Sequence, residues 1–315
     1  MSTFPLRRGK NGAIADNAFR GLVFLFAALV PLILLAYLFE LGSHSIPSIN
    51  AFGLSFVFGS QWNPPREIFQ VLPEILGTLV SSLIAIAIGV PISLGVAVFL
   101  SEMAPRGPRE IIGAVVELLA AVPSIVFGFW GLVILVPQVV RPVEGFLQAT
   151  LGFIPLFQHA ASGYDLFAGG VILAIMIIPY VAAVSRDAML TVPRSQLEAA
   201  YALGGTKSEV IRMSVFGYAR SGIIAGVFLG FGRAIGETMA VTLVIGNSLQ
   251  FAPSLFAPAQ TLASLIANNY GETIGSVPVA ALIEVGLVLL GLSLLANFGA
   301  RLILRRFVKR GAQML

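Results

Sequence analysis

The chain has 315 residues, of which 57% are hydrophobic and 11% are charged, and its mean hydropathy is +0.93. This composition excludes an ordinary soluble domain, whose core could not bury so much apolar surface, and it indicates a polytopic helical membrane protein. The absence of cysteine excludes a disulfide framework, a thiolate metal site and a cysteine nucleophile. The two histidines, His44 and His159, fall in predicted loops and do not suggest a metal site.

Six apolar stretches come near the roughly 20 residues that a helix needs to cross a bilayer. Four of them contain proline, which membrane helices tolerate where neighbouring groups bind the freed carbonyl. We interpret the first stretch as a retained anchor, since its apolar core is long for a signal peptide and no clean cleavage site follows. The predicted spans are Gly21–Phe39, Leu72–Phe99, Ile111–Val136, Ala168–Ser185, Gly222–Leu249 and Pro278–Leu304.

Basic residues predict the orientation. Sixteen of the nineteen Lys and Arg precede the first span, lie between spans two and three or four and five, or close the chain from Arg301 onward. The positive-inside rule places both termini in the cytoplasm, and the even number of spans agrees. The net charge of +4 therefore needs no nucleic acid to explain it. We expect an N-terminal tail at 1–20, a six-helix domain at 21–304 and a C-terminal tail at 305–315.

The largest predicted cytoplasmic loop, 186–220, has helical signals. Pro193 suits a first helical turn, and Gly204 with Gly205 ends the helix that follows. Thr206 and Glu209 have the spacing of a capping box, which begins a second helix leading into the fifth span. The alternative is a solvated loop with incidental helicity.

Within this loop, Glu198, Ala199, Ala200 and Gly204 match the pattern E-A-A-x-x-x-G. The match resembles the coupling loop of the membrane subunits of binding-protein-dependent ABC importers, although Phe216 and Gly217 stand where the longer family pattern has Leu-Pro. The resemblance implies a loop that docks on a separate ATPase. That partner would bind ATP and Mg, and this chain would have no cofactor and no catalytic residue. The string "GGTKS" is not a phosphate-binding loop, because no glycine directly precedes its lysine and no strand leads into it.

Three longer strings narrow the resemblance. They are "LPEILGTLVSSLIAIAIGVPISLGVAVFLSE" from Leu72, "LLAAVPSIVFGFWGL" from Leu118 and "GRAIGETMAVTLVIGN" from Gly232. Together they resemble the PstC-type permease subunits of phosphate importers.

The resemblance implies a type I importer (MetI-like) permease fold in the bacterial inner membrane. It implies a heterodimer with a PstA-type subunit, two ATPase subunits and an extracytoplasmic phosphate-binding protein. A PstA-type subunit or a permease for sulfate, molybdate or phosphonate remains an alternative. An ion-gradient-driven carrier is a further alternative, which the coupling loop disfavours.

Arg233 and Glu237 are charged residues inside the fifth predicted span, at positions i and i+4. They could neutralise each other and link helices. Alternatively, Arg233 could offer its donors to phosphate, while Glu237 holds the arginine, balances its charge or accepts a phosphate proton. Given the resemblance, we predict a substrate path that includes Arg233, Glu237 and Thr238.

Glycines recur every fourth residue at Gly222, Gly226 and Gly230, which predicts a stripe for close helix packing. The stripe could serve ordinary packing or face the partner permease. Three further acids lie in or near the spans: we expect Glu74 at an interface, and Glu117 and Glu284 in buried pairs or along the path. The string "TLASLIANNYGE" from Thr261 predicts a short amphipathic helix on the outer surface.

Overall fold

The computed structural model describes residues 10–311, which form a helical bundle with one short hairpin. The predicted N-terminal tail up to residue 9, with Arg7 and Arg8, and the last four residues of the C-terminal tail lie outside the described residues. The helices are α1 (Lys10–Phe52), α2 (Ser55–Phe58), α3 (Leu72–Val98), α4 (Arg106–Ala121), α5 (Ser124–Trp130), α6 (Arg141–Leu151), α7 (Leu166–Leu190), α8 (Arg194–Ala202), α9 (Lys207–Val210), α10 (Phe216–Ile235), α11 (Met239–Thr242), α12 (Leu262–Asn269) and α13 (Ser276–Gly311).

Three π-helical segments, two 3-10 turns (Pro64–Arg66 and Pro155–Phe157) and a hairpin complete the described elements. Phe99–Met103 extends α3, Gly131–Val140 joins α5 to α6, and Ile211–Val215 joins α9 to α10. In the hairpin, β1 (Trp62–Asn63) pairs antiparallel with β2 (Ile68–Phe69). Six helical segments in this part of the chain are long and apolar enough to cross a membrane, as predicted.

Helix α7 is the centre of the bundle and packs against both α3 and α10. Glycines on α3 and α7 allow this close approach. A Cβ at Gly89 would come within 2.9 Å of the Ile177 side chain, and one at Gly170 would overlap Ile84. Ile177 is fully buried at this contact, so the core lies along α7 and between its neighbours.

Helix α1 lies at the edge of the bundle, where it packs on α13. Its apolar side chains are exposed, with Phe24 and Phe39 both 76% accessible, as expected for a helix that faces lipid. The helix continues to Phe52, so the predicted outer loop that starts at Glu40 is helical in its first part.

The third predicted span, Ile111–Val136, is wrong, because the chain breaks inside it. Val122 has extended backbone angles (φ −67°, ψ 129°), since the ring of Pro123 disfavours the helical conformation of the residue before it. Helix α4 therefore ends before the break and packs on α7 as a separate helix. The candidate span is instead Ser124–Leu151.

The fifth predicted span, Gly222–Leu249, is wrong at both ends. The candidate membrane helix begins at Lys207, inside the predicted loop, and it stops at Ile235. A Cβ at Gly230 would meet Val181 and Ile177, so α10 stops level with the middle of α7. The fifth span is therefore a helix that ends part-way through the bundle.

The segment after α10 is mostly irregular but is enclosed by protein. The one-turn helix α11 packs against α5, α7 and α12, and Ile245 and Phe256 are fully buried. Irregular backbone is tolerated at membrane depth only where protein or a water-filled cavity replaces lipid. The predicted amphipathic helix forms as α12, but it does not lie on the surface, because its first turn from Leu262 to Leu265 is buried.

Candidate functional site

The glycine stripe sets the distance between α10 and α7. A Cβ at Gly222 would overlap Ala188, and one at Gly226 would come within 3.3 Å of Val184 Cβ. A Cβ at Gly230 would come within 2.6 Å of Val181. The stripe therefore faces a helix of the same chain, which leaves no room for a partner permease on that face.

The end of α10 positions the charged pair. Arg233 lies in the last turn, where a cation interacts favourably with the partial negative charge of the helix C terminus. Gly236 is the C-cap, and Glu237 follows it outside the helix. Their i, i+4 spacing inside a predicted span would place both residues on one helix face, but the helix ends between them. The two still form an ion pair, with 3.7 Å between Arg233 Nη2 and Glu237 Oε2.

Arg233 is only partly bound by the protein. The 3.7 Å contact with Glu237 is longer than the 2.7–2.9 Å typical of a charge-assisted hydrogen bond. Its Nε is buried and has no hydrogen-bond partner among the described residues. Its Cζ lies 4.8 Å from the centroid of the Tyr180 ring, within the range of a cation–π contact. The guanidinium thus keeps in-plane donors for a further acceptor.

An open cavity of about 520 Å³ borders this guanidinium. The side chain of Glu237 is 8% exposed, whereas that of Arg233 is 34% exposed, so the arginine is the more accessible charge of the pair. Apart from these two charges, the cavity has neutral walls. Its lining residues are Tyr180, Phe228, Leu229, Gly232, Arg233, Gly236, Glu237 and Asn297.

Thr238 differs from the other two predicted path residues, because it does not belong to this lining. It is the N-cap residue of α11, and its carbonyl accepts hydrogen bonds from the backbone N–H and the hydroxyl of Thr242. The preceding residue, Glu237, lines the cavity, whereas Thr238 shapes the turn that follows.

Sequence reasoning missed two polar members of the cavity. Tyr180 comes from α7, and Asn297 comes from α13, where its amide donates to the Ser293 carbonyl at 2.8 Å. A tyrosine and an asparagine inside predicted spans were the available signal, because polar side chains in membrane helices usually have a partner or a function. Their proximity to Arg233 depends on how the helices pack, and it cannot be deduced from the spacing of residues along the sequence.

The predicted coupling loop forms a helix, a glycine corner and a second helix. Helix α8 contains Glu198, Ala199 and Ala200, and Gly204 follows it with a left-handed φ of +83°. The Gly205 N–H closes the corner on the Ala200 carbonyl at 3.2 Å. Thr206 then begins α9 in the predicted capping box, with its N–H 2.8 Å from Glu209 Oε2.

The loop presents a concave apolar surface at one end of the bundle. A cavity of about 360 Å³ lies against its corner. Leu203 is 90% exposed and Met213 is 75% exposed beside this cavity. Apolar side chains so exposed at a helix corner suit contact with another protein.

The remaining predicted membrane acids have different surroundings. Glu74 is fully buried rather than interfacial, and neither of its carboxylate oxygens has a partner among the described residues. Glu117 is exposed because α4 is a surface helix, and it pairs with Arg186 at 3.6 Å. Glu284 is buried beside Ser48 of α1.

A buried pair of carboxyl groups, Glu144 and Asp165, lies where α7 begins, and the sequence did not suggest it. Asp165 is the N-cap of α7 and accepts from the Ala168 N–H at 3.0 Å. Glu144 on α6 accepts from the Gly163 N–H at 2.9 Å. Burial raises the pKa of Asp165 above its ordinary value. Through these hydrogen bonds, the two carboxyls hold the backbone that leads into α7.

A broken membrane helix that carries charges into a cavity, together with an exposed helix–glycine–helix loop, defines a membrane transport component. The model of the family described as "Binding-protein-dependent transport system inner membrane component" matches residues 89–309. The phosphate transport system permease protein PstC of Pasteurella multocida is 42% identical over 304 residues, which cover 95% of each chain. Its counterpart in Xylella fastidiosa strain 9a5c is 41% identical over 97% of this chain and 95% of that protein. The chain therefore belongs to the binding-protein-dependent inner membrane component family, and within it to the PstC permease proteins.

Solved structures confirm the predicted fold. The chain of the MetNI methionine ABC transporter, in inward-facing conformations, aligns with a TM-score of 0.56 at 17% identity, over 78% of this chain and 99% of that one. A bacterial ABC transporter involved in the import of the polysaccharide alginate aligns with a TM-score of 0.53 at 18% identity, over 92% of this chain and 99% of that one. At these identities, the likeness concerns the fold alone.

Proposed function

We propose that this chain is the PstC-type permease subunit of an ATP-driven importer of inorganic phosphate in a bacterial inner membrane. The observation that carries the proposal is Arg233, a partly exposed arginine beside an open cavity at the end of a membrane helix. Membership among the PstC permease proteins supports phosphate as the substrate. The chain supplies the path, and ATP is hydrolysed elsewhere.

The charged pair suits an anion that must be bound and then released. Arg233 offers in-plane N–H donors to phosphate oxygens. Glu237 competes for the same guanidinium and repels an anion, so the affinity of the site stays low. A protonated phosphate oxygen can also donate to the Glu237 carboxylate, which fully ionised sulfate cannot do. The pair therefore favours phosphate over sulfate.

The proposed partners follow from the ends of the molecule. A PstA-type permease subunit completes the path, and the apolar surface around Leu203 and Met213 docks on an ATPase subunit that binds ATP and Mg. An extracytoplasmic phosphate-binding protein delivers the anion at the opposite end. Both termini and the coupling loop lie in the cytoplasm, an orientation that the positive-inside rule supports.

Uptake by the reconstituted complex tests the function. Proteoliposomes that contain the whole importer should accumulate phosphate with ATP and exclude sulfate. Arg233→Gln should lower phosphate uptake about 10- to 100-fold, the cost of losing charged hydrogen bonds. Arg220→Gln, on the same helix but outside the cavity lining, is the matched control and should transport normally. Full uptake by Arg233→Gln, or uptake without nucleotide, would exclude the proposal.

The lack of cysteine gives a direct test of orientation. Single variants Ser208→Cys, in the coupling loop, and Ser60→Cys, beside the hairpin, both introduce an exposed thiol. An impermeant maleimide added to intact cells should label Ser60→Cys alone, whereas inverted vesicles should expose Ser208→Cys. The opposite labelling would reverse the proposed topology.

A further inference from the structure

We propose that Tyr180 is a positioning residue for Arg233, which holds the guanidinium by its ring and links it to the end of α4 by its hydroxyl. This inference rests on the proposed role of Arg233 in the phosphate path. It adds a second residue, from a different helix, on which the geometry of that path depends.

The ring of Tyr180 covers one face of the guanidinium. Arg233 Cζ lies 4.8 Å from the ring centroid, and both side chains line the same cavity. The donors of a guanidinium lie in its plane, so a ring on its face restricts its tilt without occupying its N–H groups. Glu237, in contrast, competes with an incoming anion for those groups. The ring therefore holds the arginine in place and leaves it free to bind.

The hydroxyl of Tyr180 is anchored to a different element. It donates to the Ala120 carbonyl at 3.1 Å. Ala120 lies in the last turn of α4, whose carbonyls have no partners within the helix. The break at Val122 and Pro123 follows directly, so Tyr180 supplies a hydrogen bond that the broken helix lacks.

The glycine stripe makes this three-helix contact possible. Gly230 allows α10 to approach Val181, the residue after Tyr180, and Arg233 follows one turn later. Among the described residues, Glu117 on α4 also forms an ion pair with Arg186 on α7, at 3.6 Å. A shift of α4 along α7 would therefore pull on the Tyr180 hydroxyl and tilt the ring against Arg233. Tyr180 connects the position of α4 to the orientation of the anion-binding group.

Substitutions at Tyr180 separate the two contacts. Tyr180→Phe keeps the ring and loses the hydroxyl, whereas Tyr180→Leu and Tyr180→Met lose both. In proteoliposomes with the complete importer, Tyr180→Leu should lower the phosphate transported per ATP hydrolysed about fivefold, in keeping with a cation–π contact to a partly exposed guanidinium. Tyr180→Phe should lower it only about twofold, because the link of the hydroxyl to α4 is lost while the cation–π contact remains. Tyr218→Leu, an exposed tyrosine on α10, is the control and should change nothing.

A packing role would not change the ratio of phosphate to ATP, and it would not depend on Arg233. Tyr180→Leu should therefore add less to the defect of Arg233→Lys than it causes alone. Additive defects, or equal transport per ATP by Tyr180→Leu and Tyr180→Phe, would overturn the inference. If the importer with Tyr180→Leu fails to assemble, Tyr180→Met takes its place. Unchanged transport per ATP in that variant would also overturn the inference. Intact uptake by Arg233→Gln would instead refute the proposed function itself.

Discussion

The two ends of the helical segment Lys207–Ile235 are built by different kinds of contact. At its N-terminal end, Gly204, Thr206 and Glu209 interact with residues no more than five positions away. At its other end, Arg233 meets residues from α7 and lies in a cavity that α13 completes. The first end is specified by local chemistry, and the second by the packing of distant helices.

This difference separates two parts of the proposed mechanism. A locally specified corner keeps its shape when the bundle rearranges, which suits a loop that transmits force from an ATPase. A site assembled from three helices changes whenever those helices move, which suits a site that must bind and release. Substitutions at the two ends should therefore fail in different ways.

The largest effect is expected where α10 packs most tightly on α7. Gly222→Ala places a methyl group against Ala188, and neither side chain can rotate away. Overpacking of this kind costs about 1–3 kcal/mol, so the apparent thermal midpoint of the purified protein should fall and uptake should fall with it. Because α7 and α10 both contribute to the cavity lining, the distortion should also displace Arg233.

A compensating change and a matched glycine test this explanation. The double variant Gly222→Ala with Ala188→Gly restores the space and should recover much of the midpoint. Gly217→Ala lies on the same helix, where an added Cβ meets nothing within 4 Å, and it should be neutral or slightly stabilising. Equal losses in Gly222→Ala and Gly217→Ala would show that crowding is not the cause.

A smaller, local effect is expected at the corner of the coupling loop. Gly204 has a φ of +83°, where a β-branched residue costs about 1–2 kcal/mol and asparagine costs less. Gly204→Val should therefore reduce phosphate-stimulated ATP hydrolysis more than Gly204→Asn does, with little change in the thermal midpoint of the bundle. If both variants lowered the midpoint as Gly222→Ala does, the corner would not be a local structure.

Asp165 combines both kinds of contact, since it is a local N-cap that is also buried beside Glu144. Because burial raises the pKa of Asp165, its contribution to stability is complete at acid pH and is lost as the pH rises through the raised value. Asp165→Asn keeps a capping oxygen and cannot ionise, so its midpoint should decline less than that of the wild type as the pH rises above the ordinary pKa of aspartate. Asp165→Ala loses the cap at every pH, at a cost of about 1 kcal/mol. A wild-type midpoint that falls no faster with rising pH than the midpoint of Asp165→Asn would contradict this origin.

The same division explains what could be predicted from the sequence. The number of spans follows from hydropathy, and the glycine corner of the loop at 186–220 follows from its capping residues. Arg233 is conspicuous because a charge in an apolar segment is costly. The break after Ile235 could not be predicted, because the apolar run continues to Leu249 and only the surrounding protein makes irregular backbone acceptable there. Tyr180 and Asn297 were missed because their proximity to Arg233 depends on how three helices pack.

The smallest effect is expected at the break itself. Gly236 has φ −90° and ψ 0°, a conformation open to other residues, and an added Cβ would meet the Gly232 carbonyl at an ordinary 3.8 Å. If packing of α11 and the following segment ends the helix, Gly236→Ala should transport phosphate within about twofold of the wild type, because no strain arises. A severe loss of uptake with a normal thermal midpoint would mean that Gly236 must adopt another conformation during transport. The break would then be a hinge, and the membrane end of this helix would depend on its own sequence after all.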